Sequence, residues 1–156
     1  MDEIIVTAKI RQNERDAKPY LCGVVEINDC LLVNYEHGDL GVDLTELAKT
    51  LDTDGEFFII TCSCGDAGCA GINEGVQVTR EHNVLRWLVR RSGKGPEPER
   101  AFTFNAEAYT AAVKRGLVQF MQLYEDNPTL ETTPYLLRDR IEFAKQQNWL
   151  SRWLAA

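Results

Sequence analysis

The fold is predicted to depend on one stretch, Phe57-Phe58-Ile59-Ile60-Thr61-Cys62-Ser63-Cys64-Gly65-Asp66-Ala67-Gly68-Cys69-Ala70-Gly71. Apolar residues occupy both alternating positions at its start, which is typical of a strand covered on two faces. Glycine adopts the positive φ angle of a sharp reversal, so the loop that follows is expected to turn the chain back. We therefore predict that residues 57–61 form the central strand of a sheet and that Gly75 begins the next strand.

The composition predicts one globular domain. A chain of 156 residues, 44% apolar and 26% charged, is long enough for one hydrophobic core and short for two, so we expect a single domain over residues 1–156. No apolar run reaches the roughly 18 residues of a membrane span, and the chain starts with acidic residues where a secretory leader would be basic. These features predict a cytoplasmic protein without membrane contact, in which the cysteines stay reduced or bind metal.

The acidic charge is concentrated in the first part of the chain. Residues 1–60 contain five Lys/Arg and thirteen Asp/Glu, a balance of −8, whereas the remaining residues have a balance of +1. Nucleic acid is a disfavoured partner for an acidic surface, because duplex binding depends on cations that neutralise phosphates. The asymmetry suits a basic protein partner, and ordinary solubility is the alternative explanation.

Strand patterns precede most of the helical ones. Strand composition occurs at residues 3–10, 20–27, 30–35, 75–80, 84–91 and 102–104. Asn28-Asp29 is typical of a hairpin turn. The predicted fold class is α+β, a mainly antiparallel β-meander sheet with a short helix near the middle and two C-terminal helices packed against it.

Caps and apolar stripes predict the helices. Asp43 is expected to cap a short helix, with Glu46 at its third position. Asn105 is expected to cap a long helix that ends at residues 126–128, and Thr133-Pro134 predicts the start of the last helix, with proline in its first turn. The long helix has one apolar stripe for the core, formed by Tyr109, Val113, Leu117, Phe120 and Tyr124.

The cysteine loop admits a metal site. Cys62, Cys64 and Cys69 are the candidate ligands, although their spacing differs from the paired C-x2-4-C pattern of zinc sites. A fourth ligand would come from elsewhere in the chain, and the Cys and His candidates are Cys22, Cys30, His37 and His82.

Two other uses of the loop are open. Cys64 with Cys69 is the plausible disulfide pair across the turn. Free cysteine also packs like a small hydrophobe, which predicts that Cys62 and Cys64 fill a buried face of the central strand together with Phe58 and Ile60. On this last interpretation, which we favour at this point, the protein holds no metal or other cofactor.

The loop and its surroundings resemble a group of small bacterial proteins with no established function. The shared core is Thr61-Cys62-x-Cys64-Gly65-x-x-Gly68-Cys69-x-Gly71-Ile72, followed by Gly75-Val76-x-Val78, by Val84 with Trp87, and by Phe102-x-Phe104 before a helix with Tyr109. The resemblance covers roughly residues 56–109. It implies a bacterial, cytosolic setting and carries over no catalytic or binding residue; by analogy alone, small proteins of this kind include immunity partners of bacterial toxins.

The C-terminal segment has more apolar surface than one core covers. A single helix would carry one stripe at Leu137, Ile141 and Ala144 and a second at Leu136, Phe143, Leu150 and Leu154, with Trp149 and Trp153 beside the second. Either the helix breaks near Asn148, or part of this surface meets a partner or a second subunit. The predicted partner-binding residues are Trp149, Leu150, Trp153 and Leu154.

These features predict a non-enzymatic protein, because no nucleophile elbow or protease signature surrounds any cysteine. The expected function is binding or inhibition of another protein, for example a toxin or other basic protein, through the acidic N-terminal half or the Trp-rich tail. Homodimerisation through the C-terminal helix is a related expectation. The alternative is a metal-binding or thiol-redox protein that uses Cys62, Cys64 and Cys69.

Overall fold

The structure is a computed structural model that describes residues 1–12, 18–33, 40–90, 99–148, 151 and 154. This part of the chain contains ten β-strands and three α-helices. One strand pair is parallel and all the others are antiparallel. The two longer helices come after nine of the ten strands in the chain. The α+β class predicted from the sequence is confirmed. No helix in the described ranges is long and apolar enough to cross a membrane.

The first sheet is built on a long hairpin. β1 (Ile4–Gln12) pairs antiparallel with β2 (Pro19–Ile27), in register from Ile4 opposite Ile27 to Gln12 opposite Pro19. The predicted turn at Asn28 and Asp29 is confirmed, because both have positive φ angles, 53° and 65°, which these short polar residues tolerate. β3 (Cys30–Leu31) extends β2 after this turn and is shorter than predicted, and β10 (Glu131–Thr133) pairs with β2 in parallel.

A second sheet has four antiparallel strands, and the last three of them form a meander. Its order is β5 (Gly55–Phe57), β7 (Val76–Glu81), β8 (Val84–Val89) and β9 (Arg100–Asn105). The inward face of β8 consists of Leu85, Trp87 and Val89, as its alternation indicates. The Trp87 ring meets Phe104 of β9 edge-on, with centroids 5.6 Å apart.

The prediction of a central strand at residues 57–61 is wrong. Phe57 ends β5 in the second sheet, while β6 (Ile60–Cys62) pairs with β4 (Leu40–Val42) as a separate ribbon. Between them the chain bends, because the Ile59 N–H bonds to the Phe57 carbonyl (2.9 Å) and the Ile59 carbonyl accepts from the Asp43 N–H (2.8 Å). These two bonds, one of them long-range, replace the ladder of a continuous strand.

The two capped helices begin where their caps predict. Asp43 precedes α1 (Leu44–Lys49) and accepts from the N–H groups of Thr45 (2.9 Å) and Glu46 (3.3 Å). Asn105 precedes α2 (Ala106–Asp126) and accepts from the Ala108 N–H at 2.9 Å. Every residue of the predicted stripe on α2 is buried. The Asp43 cap satisfies two of the free N–H donors at its helix start, and the Asn105 cap satisfies one.

The last helix begins later than predicted. The Thr133–Pro134 peptide is cis, Thr133 belongs to β10, and α3 (Leu137–Gln146) begins three residues after Pro134. β10 uses these residues for a sheet, so proline does not occupy the first helical turn. α3 packs against α1 and β10.

The core includes residues of the first and second sheets and of all three helices, and within it α2 approaches β1 very closely. Gly116 of α2 lies against Val6 of β1: a Cβ atom on Gly116 would be 2.2 Å from Val6 Cγ1 and 2.7 Å from the Val6 carbonyl oxygen. Alongside, the Ala8 N–H donates to Gln119 Oε1 at 3.1 Å. Only glycine fits this contact without a backbone shift.

We predict that Gly116→Ala destabilises the protein. In an exposed helix this change would stabilise by about 1 kcal/mol, but overpacking against β1 is expected to lower the free energy of unfolding by about 1–3 kcal/mol. Urea unfolding measures the difference. Val118→Ala, at an exposed position of the same helix, is the control, and a Gly116→Ala protein as stable as this control contradicts the prediction.

Candidate metal site in the cysteine loop

Three thiols converge at the end of β6. The sulfur atoms of Cys62, Cys64 and Cys69 all lie within 4.8 Å of one another. Within the described ranges, no further Cys, His, Asp or Glu joins this group. The arrangement brings together the three cysteines that the sequence analysis named as candidate ligands.

The first two cysteines belong to a tight turn. β6 ends at Cys62, whose Cα pairs with that of Leu40, and the Cys62 carbonyl accepts from the Gly65 N–H at 2.9 Å. Gly65 has a φ angle of 109°, a conformation that L side chains rarely adopt. The reversal therefore places Cys64 beside Cys62 instead of along a continuing strand.

Cys69 returns to the turn on a short 3-10 helix at Ala67–Ala70. Asp66 caps it, because its carboxylate accepts from the Gly68 N–H at 2.9 Å and its carbonyl accepts from the Cys69 N–H at 3.2 Å. Gly71, at φ 75°, ends the turn. This single turn of helix fixes the direction in which the Cys69 side chain leaves the backbone.

The loop is held by the segment that precedes α3. The carbonyls of Ser63 and Cys64 accept from the N–H groups of Tyr135 (2.7 Å) and Leu136 (3.0 Å). Gly65 packs closely on Leu136, since a Cβ atom there would lie 2.8 Å from Leu136 Cβ. Two backbone bonds and this close contact give the loop a defined position relative to the C-terminal helix.

Hydrogen bonds stabilise negative charge on the first sulfur. The Cys64 N–H bonds to the Cys62 sulfur and holds the pKa of that thiol below its ordinary value, and the thiols of Cys69 and Cys64 and the Ser63 hydroxyl act in the same direction. The Cys64 sulfur in turn accepts from the Asp66 N–H at 3.4 Å. Backbone N–H groups aimed at sulfur are suited to a thiolate.

The third thiol has the opposite tendency. The Cys69 thiol is hydrogen-bonded to the sulfurs of Cys62 and Cys64, and these bonds, with that to Cys62 contributing most, raise the pKa of Cys69 to about 11. Repulsion from negative charge on the same two sulfurs acts in the same direction. Burial contributes little to this rise in pKa, because Cys69 is exposed. The metal-free loop therefore keeps a proton between its sulfurs at neutral pH.

The prediction that Cys62 and Cys64 fill a buried face is wrong. Both are only half-buried, and Cys69 is exposed. Burial alternates along this segment: Phe57, Ile59 and Thr61 face the core, and Phe58, Ile60 and Cys62 lie on the opposite, half-buried side.

The predicted sources of a fourth ligand do not reach the cluster where the structure describes them. Cys22 is buried in β2, and this burial raises the pKa of its thiol to about 11. Cys30 begins β3 and His82 lies in the turn between β7 and β8, and neither belongs to the group of converging ligands. His37 lies outside the described residues.

A cleft of about 740 Å³ adjoins the loop, which the sequence analysis missed. Gly65, Asp66 and Gly68 form part of one wall, and residues of α1 and α3 form the others. An ion pair between the partly exposed Arg140 and the buried Asp43 (2.6 Å) contributes to its lining. No local sequence pattern relates α1 to α3, so the cleft follows only from their packing.

Three of the predicted partner-binding residues, Trp149, Leu150 and Trp153, lie outside the described residues. Leu154 is half-buried and packs against the core. α3 ends at Gln146, and Asn148 has a φ angle of 57°. The helix therefore breaks near Asn148, which is one of the two outcomes that the sequence left open.

The apolar stripes of α3 separate as expected. Leu137, Ile141 and Ala144 are buried, whereas Leu136 and Phe143 are 36% and 52% exposed. Leu136 and Phe143 both line the cleft beside the cysteine loop. The second stripe thus begins at the loop.

Comparison with protein-family models, with curated proteins and with solved structures gave no match to this chain. The resemblance to the group of small bacterial proteins accordingly stays a prediction.

We predict that Cys62 is alkylated faster than Cys69 in the folded protein between pH 7 and pH 8, although Cys69 is the more exposed. The thiolate is the reactive form, and its population is raised at Cys62 and lowered at Cys69. Iodoacetamide labelling followed by mass spectrometry measures both rates.

Cys62→Ala and urea-unfolded protein are the two controls for this order. The substitution removes the largest cause of the raised pKa and should speed alkylation of Cys69, while unfolding should make the rates of the two thiols equal. Faster reaction of Cys69 than of Cys62 in the folded protein would contradict the assigned hydrogen bonds.

Proposed function

We propose that the protein binds a metal ion through Cys62, Cys64 and Cys69. The observation that carries this proposal is the convergence of three sulfur atoms within 4.8 Å. Two sulfurs that bind one zinc ion at about 2.3 Å each lie less than about 4.6 Å apart. Small side-chain rotations therefore suffice to bring the three thiols to one ion.

The hydrogen bonds of the loop support the same function. Thiolates are the ligating form of cysteine, and N–H groups of Cys64 and Asp66 already point at two of the sulfurs. A bound cation would also remove the repulsion that keeps Cys69 protonated. The backbone of the loop, fixed by Gly65 and by the N–H groups of Tyr135 and Leu136, supplies the ligands in a preformed arrangement.

Metal binding should be lost when the three ligands are replaced. We expect the reduced protein to take up one zinc(II) or one copper(I) per chain, and the Cys62→Ser, Cys64→Ser, Cys69→Ser triple variant to take up neither. Cys30→Ser, at another exposed cysteine, is the matched control and should keep full uptake. Titration against a chromophoric chelator, with elemental analysis of the desalted protein, measures the stoichiometry.

The pH dependence provides an independent readout. Because the pKa of Cys69 is about 11, binding at neutral pH displaces its proton, and the apparent affinity should rise by about tenfold per pH unit for each proton released. A wild-type protein that binds neither ion, or a triple variant that binds as well as wild type, overturns the proposal.

A second candidate function is protein binding, which we propose from the exposed apolar residues beside the cleft. Tyr135, Leu136 and Phe143 are 65%, 36% and 52% exposed, and they surround the start and one face of α3. Exposed apolar clusters of this kind are enriched at protein interfaces. The net charge of −8 over residues 1–60 supports a partner that is a basic protein.

We predict that Phe143→Ser weakens self-association without loss of stability. Val118 is equally exposed, at 52%, on α2, so Val118→Ser is the matched control. Sedimentation velocity over a range of concentrations measures association, and urea unfolding should show changes within about 0.5 kcal/mol for both variants. A wild-type protein that stays monomeric at all concentrations contradicts the predicted homodimerisation through the C-terminal helix.

A further inference from the structure

The donor set of the cysteine loop is limited to three sulfur atoms. Structural zinc sites are closed by four protein ligands, whereas the described ranges offer Cys62, Cys64 and Cys69 and no fourth Cys, His, Asp or Glu within the group. Three sulfur donors without a fourth ligand suit an ion that forms stable three-coordinate complexes.

The carboxylate nearest in sequence is already engaged. Asp66 lies between Cys64 and Cys69, but one of its two carboxylate oxygens accepts from the Gly68 N–H at 2.9 Å and caps the short helix. Were it to turn to a metal, the helix would lose its cap and the direction of Cys69 would change. The Asp66 carboxylate therefore serves the helix cap, and the three sulfur atoms are the ligands that the loop offers to an ion.

Sulfur-only coordination selects soft ions. Thiolates favour copper(I) and zinc among the common metals, whereas carboxylates and carbonyls favour magnesium, calcium and manganese. Copper(I) accepts three thiolates in a plane without a further ligand, and zinc would need a water or a second chain to complete its tetrahedron. The exposed Cys69 forms the solvent-facing side of the cluster, where an added ion can enter.

We infer that the loop is a three-coordinate site for a soft monovalent ion, with copper(I) as its representative. This inference rests on the proposed metal-binding function and adds the class of ion. Loading forms three Cu–S bonds and releases the protons that the thiols still carry, Cys69 among them. The ion enters as copper(I) and stays so, and no electron is transferred.

The coordination number is the quantity that tests the inference. Reduced protein is loaded with copper(I) under anaerobic conditions, and X-ray absorption at the copper edge counts the neighbours. We expect three sulfurs and no nitrogen or oxygen. Cys69→Ser should leave two sulfurs and weaken copper(I) binding, measured against a bicinchoninate competitor, by at least about tenfold. Cys69 is exposed, so this variant is expected to fold, and urea unfolding verifies that it does.

His37→Ala tests for a hidden fourth ligand. His37 lies outside the described residues, three positions before Leu40, whose Cα pairs with that of Cys62. Unchanged copper(I) affinity in this variant supports the three-coordinate site. A drop of tenfold or more, a nitrogen neighbour at the copper edge, or one ion held between two chains overturns it.

The failure of this inference is distinguishable from the failure of metal binding as such. If zinc(II) binds in a closed site that needs His37, the protein is a metal-binding protein but the ion class is wrong. If neither copper(I) nor zinc(II) binds the reduced wild-type chain, both proposals are wrong.

Discussion

The Asp43 carboxylate joins the parts of the structure that surround the cysteine loop. One of its oxygens accepts from two N–H groups and a hydroxyl in the first turn of α1, and the other accepts from Arg140 of α3 at 2.6 Å. Its backbone N–H holds the bend at Ile59. The carboxyl side chain is only 1% exposed, so an ion buried there is tolerated because each oxygen has partners. Removal of one partner from a buried pair costs about 3–5 kcal/mol, a figure reduced here because Arg140 is partly exposed.

The proposed metal site depends indirectly on the contacts of Asp43. The bond from the Asp43 N–H to the Ile59 carbonyl joins the start of α1 to the residue before β6, the strand that ends at Cys62. The position of α3 beside α1 sets where Tyr135 and Leu136 offer their N–H groups to the loop. A surface loop of this composition would sample many conformations if it stood alone, because fixing each residue costs conformational entropy. Contacts from two distant segments restrict it.

The sequence predicted what depends on neighbours in the chain. The caps Asp43 and Asn105, the turn at Asn28 and Asp29, and the stripe on α2 are local patterns, and all are present in the fold. The bend at Ile59 and the late start of α3 were missed, because both follow from hydrogen bonds between segments far apart in sequence. Apolar content alone did not distinguish one covered strand from two short ones.

The convergence of the three thiols was open as an alternative in the sequence but was not the favoured interpretation, for a related reason. The spacing of these cysteines differs from the paired patterns of zinc sites, but the short 3-10 helix at Ala67–Ala70, which contains Cys69, changes the distance that a given spacing spans. The signal was present in Asp66, Gly68 and Gly71, which together are typical of a capped turn that ends in the left-handed region. Considered with Gly65, these residues favour a loop that closes on itself.

The attachment of the loop to residues near the C-terminus also bears on the order in which the molecule is completed. β2 gains its parallel neighbour only from residues 131–133, and the Ser63 and Cys64 carbonyls gain their donors only from residues 135 and 136. During synthesis on the ribosome, the loop is finished many residues before those donors exist. Contacts of such high sequence separation form late and slow folding. A nascent or truncated chain that stops before residue 131 therefore has all three cysteines but lacks the bonds from residues 131–136 that support the loop, so the loop reaches its final geometry only after those residues have been synthesised.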